Sequence, residues 1–274
     1  EKNRDEVRPI ASITKLMTAV ISVEAISQAR DLTISAGDIE IQGDSGSLKA
    51  GETFVAKDLL APLLLSSSND VAYTLARTIG KNHFVSLMNK KAEAIGLRNT
   101  QFTDPSGLEQ TNVSTPEDLL GLVKYIRDVR MPVLEMSAKP AVTLQSDVAP
   151  HTWHNFNWKS NDGTFIGGKV GYIDAAGKTM VALFRLPVAE FVTRDIGVAV
   201  LGSNDERADV KKLVEWVGSN FVYGSTLEKR SPFGITESTS SGDNEISMLF
   251  VGDIMTDRGI RDVVQKYGKG DYAY

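Results

Sequence analysis

Cysteine is absent from the 274 residues. That excludes disulfide cross-links and thiolate chemistry but leaves the cellular compartment open. No apolar run approaches the ~20 residues that a membrane-crossing helix needs. Net charge is −5, and no basic cluster or RNA-binding aromatic motif occurs, so no nucleic-acid partner is expected. Histidine is scarce, with only three residues. His83 lies in a helical pattern, and His151 and His154 flank Trp153. Two histidines three apart on an extended segment point to opposite faces, which argues against a shared metal. No metal and no cofactor are expected.

What is present is enough apolar residue, 42%, for a sizeable core in one large domain or two smaller ones. Helical spacing predicts helices over about 12–28, 58–65, 70–80, 82–95, 116–129 and 206–222. Strand-like runs fall at about 141–146, 153–158, 164–171, 178–186 and 194–202. Helices early and strands late suggest an α+β, three-layer fold: an antiparallel sheet flanked by helices, plus a helical lobe.

Three short motifs carry the chemistry. Pro9-Ile10-Ala11-Ser12-Ile13-Thr14-Lys15 contains the only S-x-x-K. Pro9 suits the approach to a helix. Ser12 then falls in the first turn, with Lys15 on the same face. A serine hydroxyl is a weak nucleophile that needs a base. Burial and a helix N-terminus both lower a lysine's pKa toward that role. The alternative is an ordinary serine N-cap. Ser66-Ser67-Ser68-Asn69 contains the only S-x-N, at a turn between two helices. It can aim a hydroxyl and an amide into a cleft, cap the following helix, or do both. Gly168-Lys169-Val170-Gly171-Tyr172 lies on or beside a strand. It can present a cation and open backbone N–H groups to an anion, or serve as a glycine-bearing hairpin.

S-x-x-K, S-x-N and K-x-G in this order form the signature set of penicillin-binding proteins and class A β-lactamases. Further segments resemble the low-molecular-mass penicillin-binding proteins, the serine-type D-alanyl-D-alanine carboxypeptidase family. These are Leu48-Lys49-Ala50-Gly51-Glu52, Phe102-Thr103-Asp104-Pro105-Ser106-Gly107-Leu108, Ser114-Thr115-Pro116-Glu117-Asp118-Leu119, and Gly171-Tyr172 through Ala175-Ala176-Gly177. The resemblance covers roughly residues 1–223.

The resemblance implies a β-lactamase/transpeptidase-like fold and a serine peptidase that cleaves D-Ala-D-Ala in peptidoglycan stem peptides. It implies catalytic roles for Ser12 (nucleophile), Lys15 (base), Ser67 (proton relay) and Asn69 (substrate amide and Lys15 orientation). Lys169, Val170, Gly171 and Tyr172 would bind substrate, with the N–H groups of Ser12 and Tyr172 as oxyanion hole. β-Lactams would be covalent inhibitors. Export is expected, to the periplasm or the outer face of the cytoplasmic membrane, with the anchoring mode open.

The family's third motif is K-T-G, and Val170 replaces the threonine whose hydroxyl contacts the substrate carboxylate. Alternatives are a D,D-endopeptidase acting on cross-links or a weakly catalytic peptidoglycan- and penicillin-binding module. A class A-like β-lactamase would need an E-x-x-L-N glutamate, and Glu117-Asp118-Leu119-Leu120-Gly121 lacks the asparagine.

Residue 1 is not methionine, and eleven residues precede Ser12. The family carries a signal peptide, a helix and at least one strand there, so the expectation is a chain lacking its N-terminus. The catalytic domain is expected over 1–230, followed by a Ser/Thr/Gly-rich linker over 231–245. Residues 246–274 resemble the opening strand of a capsule-synthesis, metallophosphatase-like domain, ending at Gly252-Asp253.

Overall fold

The computed structural model describes residues 3–43, 46–189 and 192–220. The linker read over 231–245 and the second domain read over 246–274 lie outside the described residues, as do 221–230.

A short strand, β1 (Arg8–Pro9), leads into a 3-10 turn (Ala11–Ile13) and helix α1 (Thr14–Ala25). β2 (Asp31–Thr33), α2 (Ala36–Ile39) and β3 (Thr53–Val55) follow, then α3 (Leu60–Leu64), α4 (Asn69–Thr78) and α5 (Lys81–Ala94). After β4 (Val113–Ser114) come α6 (Pro116–Val129), α7 (Met131–Ala138) and a hairpin of β5 (Ala141–Gln145) and β6 (Pro150–His154). The chain continues through β7 (Phe165–Ile173), β8 (Gly177–Ala189), β9 (Val192–Ser203) and α8 (Glu206–Asn220).

The strands β7, β8 and β9 form an antiparallel sheet in that order, while β1–β4, β2–β3 and β5–β6 make separate antiparallel pairs. The central strand β8 is apolar at successive positions because both its faces are covered. Val181 and Leu183 point into the larger core with α1, α6 and α7. Met180, Ala182 and Phe184 point into a second core closed by Val210 and Val217 of α8. This gives the expected three layers, with a helical lobe beside them.

Helix α1 is buried from Thr14 to Ser22, the pattern of a helix surrounded by protein. It stops at Ile26, whose extended backbone still donates its N–H to Ser22 O. Helix α6 spans the predicted 116–129 because its start is well signalled: Thr115 accepts from Asp118 N, Pro116 sits in the first turn, and Glu117 and Asp118 face the dipole.

Some boundaries change, and short elements appear that the sequence does not predict. The predicted helix 12–28 begins as a 3-10 turn, so Ser12 precedes the α-helix proper. The strand expected at 153–158 lies at Pro150–His154, because Asn155 and Asn157 turn the chain with side-chain acceptors. Helix α7, eight residues long, is too short for periodicity to reveal. The same holds for the two-residue strands β1 and β4, which tertiary pairing creates.

Candidate active site

The nucleophile candidate sits on a strained turn. Ala11 holds a left-handed backbone, φ 48°, which costs an L-residue about 1 kcal/mol or more and persists only where the surroundings enforce it. The surroundings are Gly107 and β7. A Cβ on Gly107 would lie 1.9 Å from Ala11 O, so only glycine fits there. A Cβ on Gly171 would lie 2.7 Å from Ser12 N and 3.1 Å from Ala11 Cβ. Thr179, the β8 partner of Gly171, donates from Oγ1 to Ile10 O at 3.3 Å. The turn is thus clamped between a loop glycine and a sheet, with Ser12 half-buried.

Lys15 is fully buried. Its Nζ donates to Ser12 Oγ at 2.9 Å, to Asn69 Oδ1 at 2.8 Å and to the Ser106 carbonyl at 2.8 Å. A neutral amine that donates to both carbonyl oxygens turns its lone pair toward Ser12 Oγ. That is the arrangement a base needs to take a proton from a hydroxyl.

Asn69 opens α4 and is oriented by a second bond, Nδ2 to Gln42 O at 2.8 Å. Ser68, not Asn69, caps the helix, accepting from Val71 N at 3.2 Å. Capping and presentation are therefore divided between neighbours. Ser67 holds a left-handed backbone, φ 61°, and among the described residues its buried Oγ has no hydrogen-bond partner. Strain and an unsatisfied hydroxyl beside Asn69 are both features of a site kept for a ligand.

The loop bearing Gln42 is pinned from outside. Gly43 packs against Asn69 and Gly46 against Ser68. Trp153 of β6 donates Nε1–H to Gly46 O at 2.7 Å. Trp153 stacks on His151 at 5.5 Å, and His151 Nε2 lies 2.9 Å from Glu52 Oε1. Burial pushes the Glu52 carboxyl up, but hydrogen bonds from Lys49 N–H and His151 outweigh it and hold the group below the usual range. His151 therefore serves as a hydrogen-bond partner of Glu52. Among the described residues no group of three or more His, Asp or Glu is arranged to hold a metal.

On β7, Lys169 and Gly171 share the face turned to Ser12 by strand alternation. Lys169 is buried, its Nζ donating to Val170 O at 2.8 Å. Val170 alternates to the other face and packs against the second core. Tyr172 is exposed, its hydroxyl donating to Asp174 Oδ1 at 2.8 Å. Lys15 thus bonds directly to both Ser12 and Asn69, and Gly171 abuts Ser12. The side chains of Val170 and Tyr172 stand outside that cluster.

Sequence reasoning missed Ser106, Gln42 and Thr179. The segment Phe102–Leu108 was visible as a motif, but the acceptor it supplies is a backbone carbonyl, which no side chain advertises. One more buried group stands beside the site. Asp70 follows Asn69 with neither carboxylate oxygen bonded to another of the described residues, and burial, aided by the Asp38 charge, raises its pKa to about 6.

The sequence profile of the D-alanyl-D-alanine carboxypeptidase family, peptidase S11, matches residues 1–185. A D-alanyl-D-alanine endopeptidase of Pseudomonas aeruginosa is 32% identical over 231 residues, 81% of this chain and 73% of the relative. A D-alanyl-D-alanine carboxypeptidase of Mycobacterium tuberculosis is 31% identical over 187 residues, 66% of this chain and 63% of the relative. A crystal structure of a D-alanyl-D-alanine carboxypeptidase from Mycobacterium tuberculosis superposes with a TM-score of 0.71 at 27% identity, covering 79% of this chain and 84% of that one.

Proposed function

The chain belongs to the D-alanyl-D-alanine carboxypeptidase family of serine peptidases, and we propose that it cleaves D-Ala-D-Ala bonds of peptidoglycan stem peptides through an acyl-enzyme on Ser12. The observation that carries this reading is Lys15 Nζ, 2.9 Å from Ser12 Oγ and held by Asn69 and Ser106.

In the forward step Ser12 Oγ attacks the carbonyl carbon of the penultimate D-Ala while Lys15 takes the hydroxyl proton. The N–H groups of Ser12 and Tyr172 face the developing oxyanion. Ser67 Oγ passes a proton to the leaving amine, and Lys15 resupplies it. The C–N bond breaks and D-Ala leaves as a neutral amine. Water then attacks the ester, Lys15 takes its proton and Ser12 regains its own. Asn69 orients Lys15 and holds a backbone amide of the substrate. Lys169 supplies positive potential for the substrate carboxylate. β-Lactams mimic the scissile amide and acylate the same serine.

A second reading is D,D-endopeptidase action on cross-links. The missing hydroxyl at Val170 favours it, since an internal bond presents no terminal carboxylate there. The Pseudomonas aeruginosa relative carries that name. Class A β-lactamase turnover is disfavoured: Glu117, in the place of the deacylating glutamate's motif, is paired with Arg4 at 3.0 Å. Peptidoglycan lies outside the cytoplasmic membrane, so this substrate implies export. Among the described residues no helix is long and apolar enough to cross a membrane.

The test is labelling with a fluorescent penicillin. The wild-type chain is expected to label on Ser12, and Ser12→Ala and Lys15→Ala to lose the label. Undiminished labelling of Ser12→Ala sinks the assignment. Chromatography of products from a pentapeptide and from a cross-linked dimer then separates the two reactions.

A further inference from the structure

The turn Asp104–Gly107 touches the nucleophile's helix at three consecutive residues. Pro105 O accepts from Thr18 Oγ1 at 2.5 Å, Ser106 O accepts from Lys15 Nζ at 2.8 Å, and Gly107 lies on the Ala11 carbonyl. Pro105 fixes one backbone angle of the turn, and one side chain gathers its donors. Asp104 is 1% exposed. Its Oδ1 accepts from Ser106 N at 2.5 Å, Ser106 Oγ at 2.6 Å and Gly107 N at 2.8 Å. Its Oδ2 accepts from Glu109 N at 2.8 Å and Asn112 Nδ2 at 2.5 Å. Asn112 in turn accepts the N–H of Ile10 on its carbonyl at 3.0 Å. One carboxylate therefore gathers the donors of the whole turn and ties it to the segment entering Ser12.

We infer that Asp104 is a positioning residue for the proposed acylation: its carboxylate shapes the turn so that the Ser106 carbonyl takes one N–H of Lys15 and aims the amine at Ser12. A carboxylate suits this because it is acceptor-only and both oxygens can take several bonds. An amide in its place turns one acceptor into a donor facing donors. The side chain touches no reacting atom, so its effect belongs to the chemical step and not to substrate binding. The inference rests on Ser12 being acylated with Lys15 as base.

The experiment follows acylation by a fluorescent penicillin in wild type, Ser12→Ala, Asp104→Asn and Ser106→Ala. It records the rate at saturation, the half-saturating concentration and the final labelled fraction. Asp104→Asn is expected to lower the saturating rate per labelled site by about ten-fold or more, with half-saturation within about three-fold of wild type. Ser106→Ala removes one of the bonds to Asp104 and keeps the carbonyl, and is expected to slow acylation by about two- to five-fold. A purely structural role lowers the labelled fraction and leaves the rate per site unchanged. If Asp104→Asn does not fold, Ser106→Ala decides by the same criterion. Wild-type rates per site overturn the inference alone. An unlabelled wild type, or a labelled Ser12→Ala, overturns the acylation reading and the inference with it.

Discussion

Gly171 lies against the backbone nitrogen of Ser12: a Cβ on residue 171 would fall 2.7 Å from Ser12 N and 2.9 Å from Thr179 Oγ1. The third motif's glycine is thus where the sheet meets the turn bearing the nucleophile. Its missing side chain is what lets the strand approach.

Gly171→Ala is therefore expected to push β7 away from the turn. Overpacking of this kind costs about 1–3 kcal/mol, and a displacement approaching 1 Å at reacting groups lowers rates by about a hundred-fold. Thermal unfolding and penicillin-labelling rates, measured on one preparation, check both parts. An unchanged labelling rate means that the strand's approach is not needed for acylation.

Val170 is half-buried and keeps one side against the second core. Threonine matches its shape, and resemblance to the family's K-T-G motif implies that a hydroxyl here reaches the substrate carboxylate, although the strand turns residue 170 away from Ser12. A hydrogen bond to a carboxylate is worth about 1.5–3 kcal/mol. Val170→Thr is expected to speed D-Ala release from a pentapeptide by about ten-fold, while cleavage of an internal cross-link changes little. Equal, unchanged rates for both reactions mean that the substrate terminus is held by Lys169 and backbone N–H groups alone.

Asp70 gives stability an unusual pH dependence. Its carboxyl is raised by burial from 3.8 to about 6, so between those values the folded chain holds a proton that the unfolded chain releases. Stability contributed by this group is then present below pH ~4 and lost as pH rises to ~6 and beyond. The full difference is about 3 kcal/mol at 1.36 kcal/mol per unit. Asp70→Asn is expected to raise the unfolding free energy by up to about 3 kcal/mol at pH 8 and by less than about 1 kcal/mol at pH 4. Urea titrations at the two pH values measure it. A gain equal at both rules out ionisation as the cause.

Trp153 holds the loop over Asn69 through its bond to Gly46 O. Trp153→Phe removes the donor and keeps most of the ring area. The expected cost is about 1 kcal/mol of stability, seen as a lower urea midpoint. A looser Gln42 contact raises the half-saturating penicillin concentration by about two- to five-fold. No change in that concentration shows the loop to be dispensable for the site.

Much of this was legible in the chain because the informative residues are local. Thr115, Pro116 and the acidic first turn mark the start of α6 without help from the rest of the protein, and Ser12 and Lys15 are one helical turn apart. What escaped depends on distant partners. Val170 follows Lys169 in the motif, yet alternation sends the two side chains to opposite faces. His151 has no role visible in the sequence because its partner, Glu52, lies 99 positions away. Ser106 contributes a peptide carbonyl, and any residue has one.

The bond from Thr179 to Ile10 joins positions 169 apart, and its consequence is temporal. The nucleophile's turn is completed by a hairpin that follows it by nearly the whole described chain. A pairing of such high contact order forms late, since its loop-closure entropy is met before the contact gives any return. A nascent chain ending before β7 already holds Ser12, Lys15, Asn69 and the Asp104 turn, but has no strand to press against them. Penicillin reactivity during refolding is therefore expected to appear only once the sheet has reached the turn.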